Sequence, residues 1–364
     1  MSRPSLLCVV ALLCLEACTA PGPRKSALTP EQVLSGAALP WRASALPAPV
    51  TEEEAFGLDD EMRAFVAPLK GIQDPVARLD RLREAMQQRG LFSIVYSGSS
   101  TRTARQTFHD RQGNCLSFTM LFVALARATG LEARYQLVDV PRSFNSAGGV
   151  LIVDTHVNAV VLPTLSRKFY VDFNTANFRE KYPIRTISDR YALALFYNNL
   201  GAEAFIRQEY ERSFAMLREA ARTYPDISGI WVNLGVLYTR HGLHEYAEAA
   251  DLRALTADPG EQSALANLVV VYSALGDQQR AEEYRQRIRR YREVNPYYHF
   301  GVAQLAYDQK RFDDALVSLR SAIRLKRDED EFYTLQGRTF TEIGRPDRAI
   351  VSFARAKELA ATRR

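Results

Sequence analysis

The sequence predicts two architectures in one chain: an α+β domain over residues 51–193, then an all-α repeat solenoid over 194–363. Two observations predict this. A long apolar run, Leu116–Ala128, is followed by two stretches that alternate polar and apolar residues, which is the pattern of a buried helix feeding half-buried strands. Downstream, the same residue classes return at a fixed spacing, the mark of a repeat array. At 364 residues the chain is ample for two cores. Its formal net charge is +5, but the bases are interleaved with acids along helical stretches such as Arg280–Arg292. That reads as solvated helix surface, and no nucleic-acid partner is expected.

Taken in order, Arg3 gives a positive start and Leu6–Leu15 an apolar stretch followed by small residues. The stretch is too short to span a membrane and reads as a signal-peptide core, so residues 1–18 are assigned as a leader. Leu15-Glu16-Ala17-Cys18 resembles the bacterial lipoprotein box, with Glu16 in place of the usual small residue. That resemblance implies cleavage before Cys18, a lipid on its thiol and a membrane partner reached through it. Thr19 follows, with no acidic retention signal, so the expected address is the outer membrane, lipid-anchored and facing the periplasm. Residues 19–50, with Pro21, Pro23, Pro30, Pro40, Pro47 and Pro49, read as a tether. Thr51 to Glu54 forms a capping-box signature that opens the first folded element; Asp74-Pro75 opens the next helix and Gly90 closes it.

Cys115 begins the buried helix, with Asn114 as N-cap and Gly130 as the stop signal. A helix N-terminus favours thiolate over thiol, so Cys115 is a candidate nucleophile, although a small buried hydrophobe would fit the same position. Cys8 and Cys14 would leave with the leader and Cys18 would carry a lipid. An exported cysteine with no second one to bridge is more easily explained by chemistry than by stability.

Such chemistry needs a base and an orienting carboxylate. In Val150–Val160, His156 shares its alternating face with Asp154 and Asn158; in 169–174, Tyr170, Asp172 and Asn174 share another polar face. With Pro163 to Ser166 as the turn, an antiparallel hairpin centred on Thr164 sets 156 opposite 172. His109 is the rival base, in a polar stretch, Thr107–Gln112, that reads as a solvated loop. His241, His244 and His299 belong to the C-terminal half and have no Cys or carboxylate neighbours at metal-ligand spacing. No metal or cofactor is therefore expected.

Arg111-Gln-Gly-Asn-Cys-Leu-Ser-Phe-Thr, Leu121 to Arg134, Asp154-Thr-His-Val-Asn-Ala-Val-Val and Tyr170-Val-Asp-Phe-Asn together resemble the transglutaminase-like superfamily of papain-type cysteine enzymes. The resemblance covers roughly residues 50–190. It implies Cys115 as nucleophile, His156 as general base and acid, and Asp172 as orienting carboxylate. Of the family's oxyanion donors it maps the Cys115 backbone N–H, and no side chain stands out as the second.

Units starting at 194, 228, 262, 296 and 330 align without gaps. The eighth position holds Gly201, Gly235, Val269, Ala303 and Gly337; the twentieth holds Ser213, Ala247, Ala281, Ala315 and Ala349. Tyr197, Trp231 and Tyr333 recur at the fourth position, Pro225 and Pro259 close two units, and Gly242, Gly276 and Gly344 mark turns between helices. This is similar to the tetratricopeptide repeat, which implies one continuous core and a concave groove for a protein or peptide partner. Val269, Ile288, His299 and Gln336 depart from the pattern and point to local repacking. Asn199, Asn233 and Asn267 share the sixth position, where a ladder for peptide backbone and a feature of the repeat itself are both open readings.

The expected function is an envelope-anchored cysteine peptidase or amidase acting through a thioester, with the repeats as recruiting surface. A protein-crosslinking acyltransferase and a non-catalytic binding lipoprotein are the alternatives.

Overall fold

The computed structural model describes residues 27–41, 48–93, 95–96, 100–138, 146–147, 150–151, 156–164, 167–172 and 184–361. The leader with Cys18, and Asp154 and Asn174, lie outside them.

Part of the expected tether is folded. Pro30 stands at the first position of a short helix, α1 (Pro30–Ser35), where its missing N–H removes no helical bond, and Thr29 with Gln32 forms a capping box. Val33 and Leu39 are buried, the Val33 carbonyl accepts from the buried Tyr238 hydroxyl, and the Trp41 ring meets His241 edge-on at 5.1 Å. Residues 27–41 thus lie against the repeats. A proline count reads spacer where Thr29 and Gln32 have converted one proline into a helix start.

The capping box at Thr51 and Glu54 opens α2 (Glu52–Phe56), followed by α3 (Asp60–Val66), a 3-10 turn (Ala67–Gly71) and α4 (Pro75–Gln88), capped by Asp74. Next, β1 (Val95–Tyr96) pairs in parallel with β2 (Gln112–Gly113). Between them lies α5 (Ala104–Asp110), so the stretch expected as loop around His109 is mostly helical. Thr103 and Gln106 cap this helix, and Phe108 is buried edge-on to Phe65.

The next helix, α6 (Cys115–Ala128), matches the apolar run and is buried at every residue from Leu116 to Ala126. Its burial requires cover on all sides. One side is a four-stranded antiparallel sheet of β3 (Ala133–Val138), β6 (His156–Thr164), β7 (Arg167–Val171) and β8 (Ile184–Ile187), in the order β7-β6-β3-β8. Two short strands, β4 (Ser146–Ala147) and β5 (Val150–Leu151), pair apart from it.

Ten helices follow as five pairs: α7 (Asp189–Ile206) with α8 (Tyr210–Thr223), α9 (Ser228–Arg240) with α10 (His244–Ala257), and α11 (Gln262–Ala274) with α12 (Gln278–Val294). The last two pairs are α13 (Pro296–Asp308) with α14 (Phe312–Leu325) and α15 (Asp330–Glu342) with α16 (Pro346–Ala361). The recurring small residue has a steric cause. A Cβ on Gly201, Gly235 or Gly337 would come within 2.7 Å of Leu217, 2.8 Å of Asp251 or 2.7 Å of Phe353 on the partner helix. At two fourth positions the ring's polar tip reaches back six residues: Trp231 Nε1 donates to the Pro225 carbonyl at 2.7 Å and the Tyr333 hydroxyl to that of Arg327 at 3.1 Å, whereas the Tyr197 hydroxyl donates to the Val50 carbonyl. His299 Nε2 lies 3.4 Å from the Glu293 carbonyl, so the departure at that position keeps the contact.

The single continuous core is not observed. One cluster runs from α1 through Tyr284 of α12, and a second gathers Ala303, Leu316, Leu319, Phe332 and Leu335. The division falls at the third unit, where bulky Val269 and Ile288 replace small residues and α12 buries only Ala281 and Tyr284.

Candidate active site

Cys115 is the first residue of α6, at the end of the chain reversal that follows α5. Asn114 caps the helix: its Oδ1 accepts from both Ser117 N and Ser117 Oγ at 2.9 Å, while its Nδ2 donates to Thr101 Oγ1 at 2.8 Å. Gly113 is required because a Cβ there would lie 2.7 Å from the Ser117 Cβ, at a φ of 156°. Thr119 Oγ1 lies 2.8 Å from the Cys115 carbonyl and 3.1 Å from that of Val157, so the helix start is tied to β6.

His156 opens β6 and is hydrogen-bonded to Cys115. Its Nε2 lies 2.6 Å from Asp172 Oδ2, which leaves Nδ1 for the thiol. The His156 and Asp172 side chains are only 7% and 4% exposed, so their interaction is barely screened by water. Burial opposes the charged imidazole. The hydrogen bonds to Asp172 and Cys115 and their charges outweigh it, raising His156 to a pKa of about 9.

Asn158 joins this group. Its Nδ2 donates to Asp172 Oδ2 at 3.2 Å, and the residue is completely buried. The strand register explains why. β6 and β7 pair Ala159 with Val171, Val160 with Tyr170 and Val161 with Phe169, so Asn158 is next in line with Asp172. The expected register, with 156 opposite 172, is off by two residues. The pairing is irregular between Val161 and Thr164, and β6 continues through Pro163, which was expected in the turn. Pro163 has no N–H for a ladder and sits where the pairing is interrupted.

His109 is not at the thiol. Its Nε2 lies 2.7 Å from Asp59 Oδ2 on a surface where the imidazole is 40% exposed, with Glu61 at 3.6 Å from Nδ1. In the repeats, Asn233 Nδ2 donates to Asn198 Oδ1 at 2.9 Å and Asn267 Nδ2 to Asp251 Oδ1 at 3.1 Å. Two of the three asparagines of the ladder therefore direct amide donors within the array. Among the described residues no group of three or more His, Cys, Asp or Glu side chains is placed to hold a metal ion, and no helix is long and apolar enough to cross a membrane.

Comparison with known proteins divides the chain as its architecture does. Residues 63–162 match the core of the transglutaminase-like superfamily, and residues 199–261, 267–329 and 303–363 match tetratricopeptide repeats. The chain is 24% identical over 163 residues to anaphase-promoting complex subunit 3 of Schizosaccharomyces pombe, covering 45% of this chain and 24% of that protein. It therefore spans about a quarter of that relative's length. Among solved structures, YrrB, described as a TPR protein with an unusual peptide-binding site, is similar at 18% identity, covering 46% of this chain and 86% of that one with a TM-score of 0.26. MamA from Desulfovibrio magneticus RS-1 is similar at 15% identity, covering 48% and 97%, with a TM-score of 0.27.

Proposed function

We propose that this chain, a transglutaminase-like core joined to tetratricopeptide repeats, is an envelope-anchored cysteine peptidase or amidase whose repeats recruit a protein or peptide. One observation carries the enzymatic reading: a thiol at the start of a buried helix hydrogen-bonds an imidazole whose other nitrogen meets a buried carboxylate. In the reaction, Cys115 Sγ attacks the amide carbonyl carbon as the thiolate, and the carbonyl π electrons move onto oxygen. The Cys115 backbone N–H, in the first turn of α6, is the donor for that oxyanion. Collapse re-forms the carbonyl and breaks the C–N bond, with the leaving amine taking its proton from His156. A thioester remains. Water attacks it with His156 as base, releasing the acid and regenerating the thiol. An amine in place of water gives a crosslink, and the choice turns on how well the site excludes water.

A second reading, a peptide-binding module, is favoured by one feature: among the described residues no side chain stands out as a second oxyanion donor, and one N–H of Asn114 Nδ2 is already directed at Thr101. Alkylation of Cys115 by iodoacetamide across pH, mapped by mass spectrometry, separates the two. Rapid labelling well below pH 8 supports the nucleophile, whereas labelling only above about pH 8.5, an ordinary thiol's range, supports the binding module. The envelope address rests on the Leu6–Leu15 stretch and the sequence around Cys18, with a lipid on Cys18 as the anchor. Thr19 favours the outer membrane, facing the periplasm.

A further inference from the structure

The hydrogen bonds around the helix cap do not end within the catalytic fold. Asn114 Nδ2 donates to Thr101 Oγ1 at 2.8 Å, and the Thr101 backbone N–H donates at 2.7 Å to Glu203 Oε1. Glu203 belongs to α7, the first helix of the repeat array, and its side chain is 11% exposed. Asn114 and Thr101 are both buried.

We infer that Glu203 is a positioning residue for Cys115, acting across the junction between repeats and catalytic fold through Thr101 and Asn114. The inference rests on the reading of Cys115 as a nucleophile. Its logic is position. Glu203 accepts from the Thr101 N–H and so holds the backbone that carries the Thr101 hydroxyl. That hydroxyl presents its lone pairs to Asn114, which can answer only with its NH2 group. The amide is thereby fixed with Oδ1 toward the helix, where it caps Ser117 N and accepts from Ser117 Oγ. A reversed amide would set an NH2 group against the Ser117 N–H and lose the cap. Cys115 is the residue after this cap, so its N–H and thiol inherit the orientation. The site is therefore completed by the first repeat, and Arg207, whose Nη1 lies 3.9 Å from Glu203 Oε2, extends the connection toward the repeat surface.

The test uses the full chain and measures the second-order rate of iodoacetamide alkylation at Cys115 at pH 7, with circular dichroism and a melting curve to establish folding. Glu203→Leu leaves nothing to direct Thr101 and is expected to slow alkylation roughly tenfold or more. Glu203→Gln keeps an acceptor oxygen for the Thr101 N–H and is expected to recover the rate to within about threefold of the parent, at the level of one neutral hydrogen bond in place of a charged one. Thr101→Val retains the backbone bond to Glu203 but severs the hydroxyl link to Asn114, and slow alkylation is expected here too. This variant separates the relay from mere docking of the two folds. An unchanged rate in folded Glu203→Leu or in Thr101→Val overturns the inference, and Thr101→Val decides alone if Glu203→Leu does not fold. If the parent thiol reacts no faster than it does in the denatured chain, the nucleophile reading falls and takes this inference with it. A fast parent with unchanged variants removes this inference only.

Discussion

Asp172→Asn is the most informative single change, because it removes a charge while leaving a side chain of the same shape. In the parent, His156 stands at about 9 against an ordinary 6.5. The raising influences are the hydrogen bonds and charges of Asp172 and Cys115, acting against burial. Without the carboxylate at 2.6 Å, burial is opposed only by Cys115, and the ring should titrate far lower. At pH 7.5 about 97% of the parent rings are cationic, whereas an ordinary histidine would be about 9% cationic. If, as proposed, the leaving amine takes its proton from this ring, the alkaline limb of a hydrolytic pH profile should move from about 9 in the parent to below 7 in the variant. Stability follows the same titration. A pKa raised on folding stabilises fully below about 6.5, and the contribution is lost as pH rises through about 9. The gap of roughly 2.5 pH units is worth about 3 kcal/mol. The assay is NMR of histidine-labelled protein, with the His156 resonance assigned by its loss in His156→Gln. A parent ring titrating at or below 6.5, or an unmoved ring in Asp172→Asn, would refute the argument.

Cys115→Ala should fold at a cost of about 1 kcal/mol or less, since alanine suits a first-turn position, while acyl transfer is abolished; unfolding of the domain in its melting curve would make the thiol a packing residue. Cys18→Ala should leave the membrane fraction or block processing, because a single lipidated residue is the proposed anchor; normal processing with unchanged membrane association removes the lipoprotein proposal. Because the core is divided at the third unit, amides of α13 to α16 should exchange hydrogen as a unit separate from, and faster than, those of α7 to α10. One common protection level across all five pairs, read by mass spectrometry, counts against that division.

What the sequence reveals of the fold follows from how local each signal is. The α6 helix is legible from Asn114 to Gly130 because cap, apolar run and stop all lie within the segment. The repeats are legible because each period restates the same steric demand, as Gly201 against Leu217 and Gly337 against Phe353 make plain. The docking of residues 27–41 is not legible: Val33 and Trp41 are bound by Tyr238, Phe214 and His241, residues about two hundred positions away, and nothing near them in sequence announces those contacts. The helix at His109 was hidden for a different reason. Its polar residues read as loop, whereas Thr103, Gln106 and the buried Phe108 turn one face inward.

The site itself survives an error in the register because of parity. Side chains along a strand alternate, so a slip of one residue would have turned His156 away from Asp172, while a slip of two returns it to the same face. The observed pairing places Asn158 in line with Asp172 and His156 two residues further along. A diagonal neighbour at that offset stands about 7–8 Å away between Cα atoms, a span that an imidazole and a carboxylate bridge together. The 2.6 Å contact between His156 and Asp172 closes this diagonal. The position directly opposite then falls to a residue that can donate to the carboxylate without competing for the thiol, and Asn158 Nδ2 does so. Its presence beside His156 in the alternating set was visible in sequence, but its use depends on the register, which the interrupted pairing around Pro163 decides. The arrangement gives Asp172 two donors on one oxygen, so the carboxylate is held from the sheet side while His156 faces the helix. The strand hairpin thus orients His156, the helix cap orients Cys115, and Thr119, whose hydroxyl lies against the carbonyls of Cys115 and Val157, fixes the two against each other.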